Sequence, residues 1–225
     1  MYRTDLHVHT SEVSPCANIS APDTVEQYKK AGYDSIVITN HYFAGFFERD
    51  PILSWEQQVE RYLVGFELAR EKGKEAKLHV VLGMELTFRE NHNDYLIYGI
   101  DKEFLLRYPY LYELTLEQFK KLAEREGLVV YQAHPFRTRM TVMPVPLLDG
   151  IEVYNGGLIH DSRNPIAAFY AQLNHLKGIS GSDCHFAENV ATGGILTDEP
   201  VTASQQLVAV LKAGRYELIR SERVS

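Results

Sequence analysis

Two cysteines and one tryptophan are all that 225 residues hold of these types. Two cysteines cannot build a disulfide framework, so Cys16 and Cys184 are expected to be reduced thiols of a cytoplasmic protein. No apolar run approaches the about 20 residues that span a bilayer. The opening Met1-Tyr2-Arg3-Thr4-Asp5 lacks the apolar stretch of a secretory leader, so no membrane partner is expected. Basic tracts are missing too. Net charge is −7 with histidines neutral, and without a lysine- or arginine-rich stripe a long nucleic acid is a poor partner. No linker, repeat or low-complexity segment interrupts the chain, so one domain over residues 1–225 is expected.

What is present is an ordinary globular composition, 45% hydrophobic and 24% charged, enough for a proper core. Short apolar runs alternate with amphipathic stretches, which predicts α/β architecture. Strands are expected before His7 and at Ser35–Thr39, Leu78–Met84, Tyr95–Gly99, Leu128–Tyr131, Gly150–Tyr154 and Gly178–Ser182. Helices are expected from Ser20 to Ala31, from about Ser54 to Lys72, from Thr115 to Glu126 and from Asn164 or Pro165 to about Leu176. A last helix should open on a Thr202–Gln205 capping box and close near Gly214.

The organising stretch is Asp5-Leu6-His7-Val8-His9-Thr10. In extended backbone, residues i and i+2 share a face, so one metal ion could take both imidazoles without a bend in the chain. Alone, the pair is equally a strand with two solvated histidines. Its company changes that. His7, His9, His41, Glu85, His134, Asp183 and His185 all fall at or just past the end of an expected strand. In a barrel of parallel strands those ends meet on one rim, where such enzymes carry their chemistry. Imidazole with carboxylate suits zinc, manganese or iron, and so many donors around a bridging acid suit two or three divalent ions.

At this point the chain resembles a known family. His-x-His, then Thr39-Asn40-His41, Gly83-Met84-Glu85, Ala133-His134-Pro135-Phe136-Arg137 and Gly181-Ser182-Asp183-Cys184-His185 together look like the PHP domain of the polymerase and histidinol-phosphatase superfamily. The likeness runs from Asp5 to His185. It implies a distorted (β/α)7 TIM-like barrel whose di- or trinuclear site hydrolyses phosphate esters. Carried over, His7 and His9 would share one ion with Glu85 and Asp183. Glu85 would bridge to a second ion held by His134, and His41 with His185 would hold a third.

Three departures follow. The family's Thr-Asp-His reads Thr39-Asn40-His41, which removes a carboxylate behind His41. In the loop after His-x-His, Glu12 has the usual ligand chemistry while Cys16 has the usual place; Glu12 is favoured. Ahead of the fourth strand, Asp94 has the register and His92 the chemistry, and both stay open.

Arg137 is suited to a phosphate monoester, with Arg139 a weaker candidate, and Asn155 could donate to substrate or simply make a turn. Asp183 is expected to orient the attacking water. His79, His160 and His175 read as loop or opposite-face residues. Cys184 should pack inside, and Tyr42, Phe43, Phe46 and Phe47 could wall the pocket or pack beneath it.

The resemblance implies hydrolysis of a small phosphorylated molecule by a metal-activated hydroxide, with histidinol phosphate or a nucleotide as the precedents. Two alternatives stand beside it. An amidohydrolase also begins with His-x-His but commonly needs a bridging lysine, and no expected strand ends in one. A PHP-like module that binds a partner without catalysis would have lost its ligands, and here the set is nearly full.

Overall fold

The structure, a computed structural model, describes residues 1–221. Its elements are β1 (Tyr2–Val8), α1 (Ala21–Lys30), β2 (Ser35–Ile38), β3 (His41–Tyr42), α2 (Ala44–Phe47), α3 (Trp55–Ala76), β4 (His79–Thr87) and β5 (Asp94–Tyr98). Then come α4 (Lys102–Arg107), α5 (Leu116–Glu126), β6 (Val129–Gln132), β7 (Gly150–Asn155), α6 (Asn164–Leu173), β8 (Lys177–Gly181), β9 (Gly193–Thr197), α7 (Ser204–Ala213) and β10 (Glu217–Arg220).

Seven strands, β1-β2-β4-β5-β6-β7-β8, pair in that order. The ring closes where Val8 bridges Cys184, just past β8, in parallel sense. This is the distorted (β/α)7 barrel, and the distortion has a definite place. β5 runs antiparallel to both β4 and β6, so its start, not its end, lies on the rim reached by the ends of its neighbours. β9 and β10 extend the sheet beyond β1 in antiparallel fashion. Leu207, Val208 and Leu211 of α7 bury against Leu6, Val37, Val81, Leu96, Val129 and Ile179. The end of the barrel away from the rim is thereby a packed core.

Local chemistry explains most elements. Ser20 caps α1 by accepting from Asp23 N, and Ser54/Gln57 and Thr115/Gln118 form complete capping boxes on α3 and α5. α3 runs to Ala76, beyond the expected Lys72, because Gly73 does not end it. A Cβ there would stand 2.6 Å from Leu78 O, so this glycine lets helix and following strand touch.

The last helix also differs. Its N-cap is Ala203, with no side-chain cap. Thr202 instead donates to Gln206 Oε1, while Gln205 Nε2 donates to Gly99 O and ties α7 to the barrel. The strands β3, β9 and β10 and the helices α2 and α4 were not expected; the first two of these strands and α2 have five residues or fewer, too short for a periodic signal.

β1 is not a straight presenter of its histidines. Asp5 pairs with Ile36 and Val8 with Ile38, so one extra residue bulges from β1 before the histidine pair is complete. The bulge lets Asp5 reach Tyr28 of α1 (2.8 Å) while His7 reaches Glu152 of β7 (3.0 Å).

Candidate metal centre

The rim gathers donors from six strand ends. β3 pairs with β4 so that His41 lies directly opposite Glu85, and His41 Nδ1 is 2.7 Å from Glu85 Oε2. Around the same carboxylate stand His7 Nε2 at 3.2 Å, His9 Nε2 at 3.3 Å and His134 Nε2 at 3.2 Å. Asp183 Oδ1 faces His7, His9 and His185 at 3.4, 3.5 and 3.2 Å. Three sets of donor atoms cluster within 4.8 Å of one another: His7–His9–Glu85, Glu85–Asp94–His134 and His9–His41–His185.

Hydrogen bonds behind the rings settle which nitrogens are free. Asn40 Oδ1 accepts from the backbone of Thr10 (2.8 Å), so it is the oxygen that Ser14 Oγ–H faces at 3.0 Å. Ser14, its one proton given to Asn40, must accept from His9 Nδ1 (3.1 Å). His7 Nδ1 donates to Glu152 Oε1 (3.0 Å) and His185 Nδ1 to the carbonyl of Asp183 (3.0 Å). Each of these three rings therefore keeps an Nε2 lone pair. His7 Nε2 and His9 Nε2 are buried with no hydrogen-bond partner among the described residues, and Glu85 Oε2 has the His41 ring beside it. Buried polar atoms left this way are costly unless something binds them, and divalent cations fit the donor set.

The electrostatics agree. Burial opposes charge on His7, yet Asp183, Glu85 and Glu152 together raise it well above the ordinary imidazole range. Burial also opposes ionised Glu85, but His7 and His41 hold it well below the carboxylate range. His9 is held well below the imidazole range by burial and by His185 and His41, so it stays neutral. The field that would protonate His7 is the field that attracts a cation.

Other expected residues fall differently. Glu12, favoured as a ligand, is turned away: both its oxygens accept from Ala21 N at the start of α1 (2.9 and 3.1 Å), where an acid is favourable. Cys16 instead lies on the wall of the same cavity as His41 and His185. Burial raises its thiol, but those two rings outweigh that and bring it down to about 6. Asp94 is in the cluster because antiparallel β5 starts at the rim; His92 is exposed outside it. Asn40 orients His9 through Ser14, so the Asp-to-Asn departure acts on the His-x-His loop, not on the His41 ring.

Asn155, expected to donate to substrate, is buried and fully engaged. Its Nδ2 donates to Glu152 and Asp183, and its Oδ1 accepts from Arg137 and Gly157. Arg137 Nη2 also donates to Asp183 Oδ2 (2.7 Å) and Ser162. A cavity of about 230 Å³ lies over the cluster, lined among others by Cys16, His134, Arg137, Asp183 and His160.

Arg139 lines an adjoining cavity, which shares Arg137 and His160 with the one over the cluster. His79 and His175 are exposed and Cys184 is fully buried. Tyr42, Phe46 and Phe47 are core residues packed with Tyr62 and Val59, leaving Phe43 beside the His41 ring.

Two residues that matter escaped the sequence reading. Glu152 receives His7 Nδ1, His134 N (3.0 Å) and Asn155; an acid inside the apolar run Gly150–Tyr154 was the available signal. Asp5 accepts from Tyr28, Ser182 N and His7 N, yet burial pushes it up to about 6. The folded chain thus holds this proton up to about pH 6, whereas the unfolded chain releases it near 3.8. Asp5 therefore favours folding most below pH 3.8 and loses roughly 3 kcal/mol of that as pH rises through 6. Asp5→Asn should remove this segment of the pH–stability curve, measured as urea midpoints for both proteins; parallel curves would refute it.

Residues 5–181 match the model of the PHP domain, and residues 161–216 match that of a PHP-associated segment. The chain belongs to the PHP domain family. No curated protein matches it. Among solved structures, PsfC from Pseudomonas syringae PB-5123 aligns over 100% of this chain and 94% of its own, at 17% identity and TM-score 0.70. A two-domain protein from Bacteroides vulgatus ATCC 8482, containing a predicted PHP-like metal-dependent phosphoesterase, aligns over 98% of this chain at 17% identity and TM-score 0.69. This PHP chain spans 65% of that protein's length. An amidohydrolase from Chromobacterium violaceum aligns over 96% of this chain and 97% of its own, at 14% identity and TM-score 0.54. At such identities the likeness is one of fold. No helix among the described residues is long and apolar enough to cross a membrane.

Proposed function

We propose that this PHP domain is a metal-dependent phosphoesterase that hydrolyses the phosphate ester of a small molecule at a di- or trinuclear site. The observation that carries the reading is the pair of buried, unpartnered nitrogens His7 Nε2 and His9 Nε2 facing the buried Glu85 carboxylate, with Arg137 and Asp183 beside them on the cavity wall. His7, His9, Glu85 and Asp183, then Asp94 and His134, then His41 and His185 would hold zinc, manganese or iron. Bound ions of this kind lower the pKa of water and neutralise phosphate oxygens.

The chain's own residues supply the rest. Arg137 presents a guanidinium to a phosphate oxygen, held in place by Asn155, Ser162 and Asp183. Asp183, held well below the carboxylate range although buried, chiefly because His7, His185, His9 and Arg137 outweigh the burial, is an acceptor that can orient a water. The cavity of about 230 Å³ over the cluster has room for a small substrate, histidinol phosphate-like or a nucleotide. The charge of −7 also disfavours long nucleic acid. Two free cysteines suit a cytoplasmic setting. An amidohydrolase reading is weaker, since among the described residues no lysine lines the cavity over the cluster.

Purified protein loaded with Mn²⁺ or Zn²⁺ should hydrolyse a generic aryl phosphate and lose that activity to a chelator. A panel of monoesters and diesters then sorts the substrate class. Full ion content with no hydrolysis across the panel would favour a binding module. Arg137→Ala should raise KM by about 10–100-fold, as loss of a charge-assisted phosphate contact does, with ion content unchanged. An unchanged KM would remove Arg137 from the substrate site.

A further inference from the structure

We propose that the outward face of α6, with Leu158 and Ile159 of the loop before it, is a two-fold interface on which a second copy of this chain docks. The proposal is independent of the metal centre, although the patch reaches the cavity above it. Leu158 and Ile159 line that cavity and, together with Ile166, the groove beside α6.

α6 is built inside out. α5 buries Leu116, Phe119 and Leu122, and α7 buries Leu207, Val208 and Leu211, as amphipathic helices packed on a sheet do. The only buried residues of α6 are Ala167 and Ala171. Its large apolar side chains point outward instead: Ile166, Phe169 and Leu173 are 49, 65 and 67% exposed. Their i, i+3, i+7 spacing sets them in one stripe. Leu158 and Ile159, 48 and 63% exposed, extend it past the start of the helix. Five of the eleven large apolar side chains exposed among the described residues therefore fall between positions 158 and 173. One exposed leucine is ordinary, but a contiguous patch marks a surface that something covers.

Charge and area point to a second copy as the occupant. Between Asn164 and Leu176 there is no lysine, arginine, aspartate or glutamate, although 24% of the chain is charged. Two copies, each carrying −7, can meet here without opposing like charges, whereas a strongly charged partner finds no ion pair along the helix. A lipid surface is disfavoured as well, because the helix lacks the lysines and arginines that flank membrane-seated apolar faces. The five side chains expose on the order of 500 Å² per copy, so a two-fold pairing would bury about 1,000 Å², the least that a stable interface needs. Phe169 lies near the middle of α6 (Asn164–Leu173). Antiparallel pairing about a two-fold axis would set it against its own copy, with Ile166 over the partner's Leu173.

Sedimentation equilibrium on the full chain reads the assignment without any activity. At about 100 μM, wild type should be dimeric, since a micromolar Kd is then saturated. Phe169→Glu and Phe169→Lys should each be monomeric, with Kd raised at least about 100-fold by like charges facing each other in an apolar contact. Both should keep the circular dichroism and thermal midpoint of wild type, because the side chain they replace is exposed. Mixing the two variants in equal amounts should restore a dimer, since opposite charges then meet across the axis, a result that only pairing between copies gives. A monomeric wild type would overturn the proposal. Variants as dimeric as wild type would also overturn it, by placing the contact elsewhere, and a mixture that stays monomeric would overturn the two-fold pairing. Monomeric wild type that floats with phosphatidylcholine vesicles, while Phe169→Glu does not, would give the face to a membrane instead.

Discussion

Glu85→Gln should strip more than one ion from each chain and lower kcat/KM for an aryl phosphate by at least about 10³-fold, the upper end of what losing one transition-state donor costs. The expectation follows from position. Glu85 is fully buried and within 3.3 Å of His7, His9, His41 and His134. It is shared by two of the three donor clusters. Glutamine keeps the volume but removes the charge, and its amide hydrogens would occupy imidazole lone pairs that a cation needs. Metal analysis and a steady-state assay check it together. Full ion content with activity within tenfold of wild type would show that Glu85 is not the bridge.

Glu152→Leu should be the most damaging change away from the donors themselves, costing about 3–5 kcal/mol of stability and weakening metal retention by about 10–100-fold. Three buried donors converge on this carboxylate: His7 Nδ1, His134 N and Asn155 Nδ2. Leucine would leave all three without a partner in a water-poor interior. The bond to His134 has added weight because that residue sits at φ 29°, a left-handed conformation a histidine holds only when its surroundings impose it. Releasing its N–H lets the ring drift from Glu85. Denaturant titration of the metal-free and loaded forms separates the two effects. A variant as stable as wild type, with unchanged ion retention, would contradict this account.

The sequence made the rim legible through one regularity: donors at the ends of strands. His7 and His9 share a face, and Glu85, His134, Asp183 and His185 each follow an apolar run. That rule fails where a strand reverses. Asp94 begins β5, and nothing in Tyr95–Tyr98 reveals that this strand runs antiparallel, so Asp94 and His92 looked alike. It fails again for Glu12 and Cys16, where the choice depends on how the loop folds back onto His185 O and where α1 starts, both long-range facts. Glu152 was visible as an acid in an apolar strand, but its role lies in bonds to residues 18 or more positions away. Asn155 looked available because a sequence does not show that four hydrogen bonds already occupy it. Three helices were read from the caps that declare them, at Ser20, Ser54 and Thr115; α7, where Ala203 supplies no cap, was expected to be capped one residue early, and the short α2 and α4 were missed.

The seam of the barrel would give bound ions a mechanical role. β1 and β8 meet through the single bridge from Val8 to Cys184, with Cys184 N on His7 O and His9 N on Cys184 O (3.2 and 3.0 Å). His7 and His9 flank that seam on one side, Asp183 and His185 on the other, and Ser182 lies 175 positions along the chain from His7. An ion gripping both sides is a cross-link across nearly the whole polymer. Closing a loop of more than about 100 residues removes enough chain entropy from the unfolded ensemble to contribute about 4–5 kcal/mol. Chelation should then open the hoop where it is fastened: amide exchange at His9 and Cys184 should quicken far more than along the β4–β5 ladder opposite.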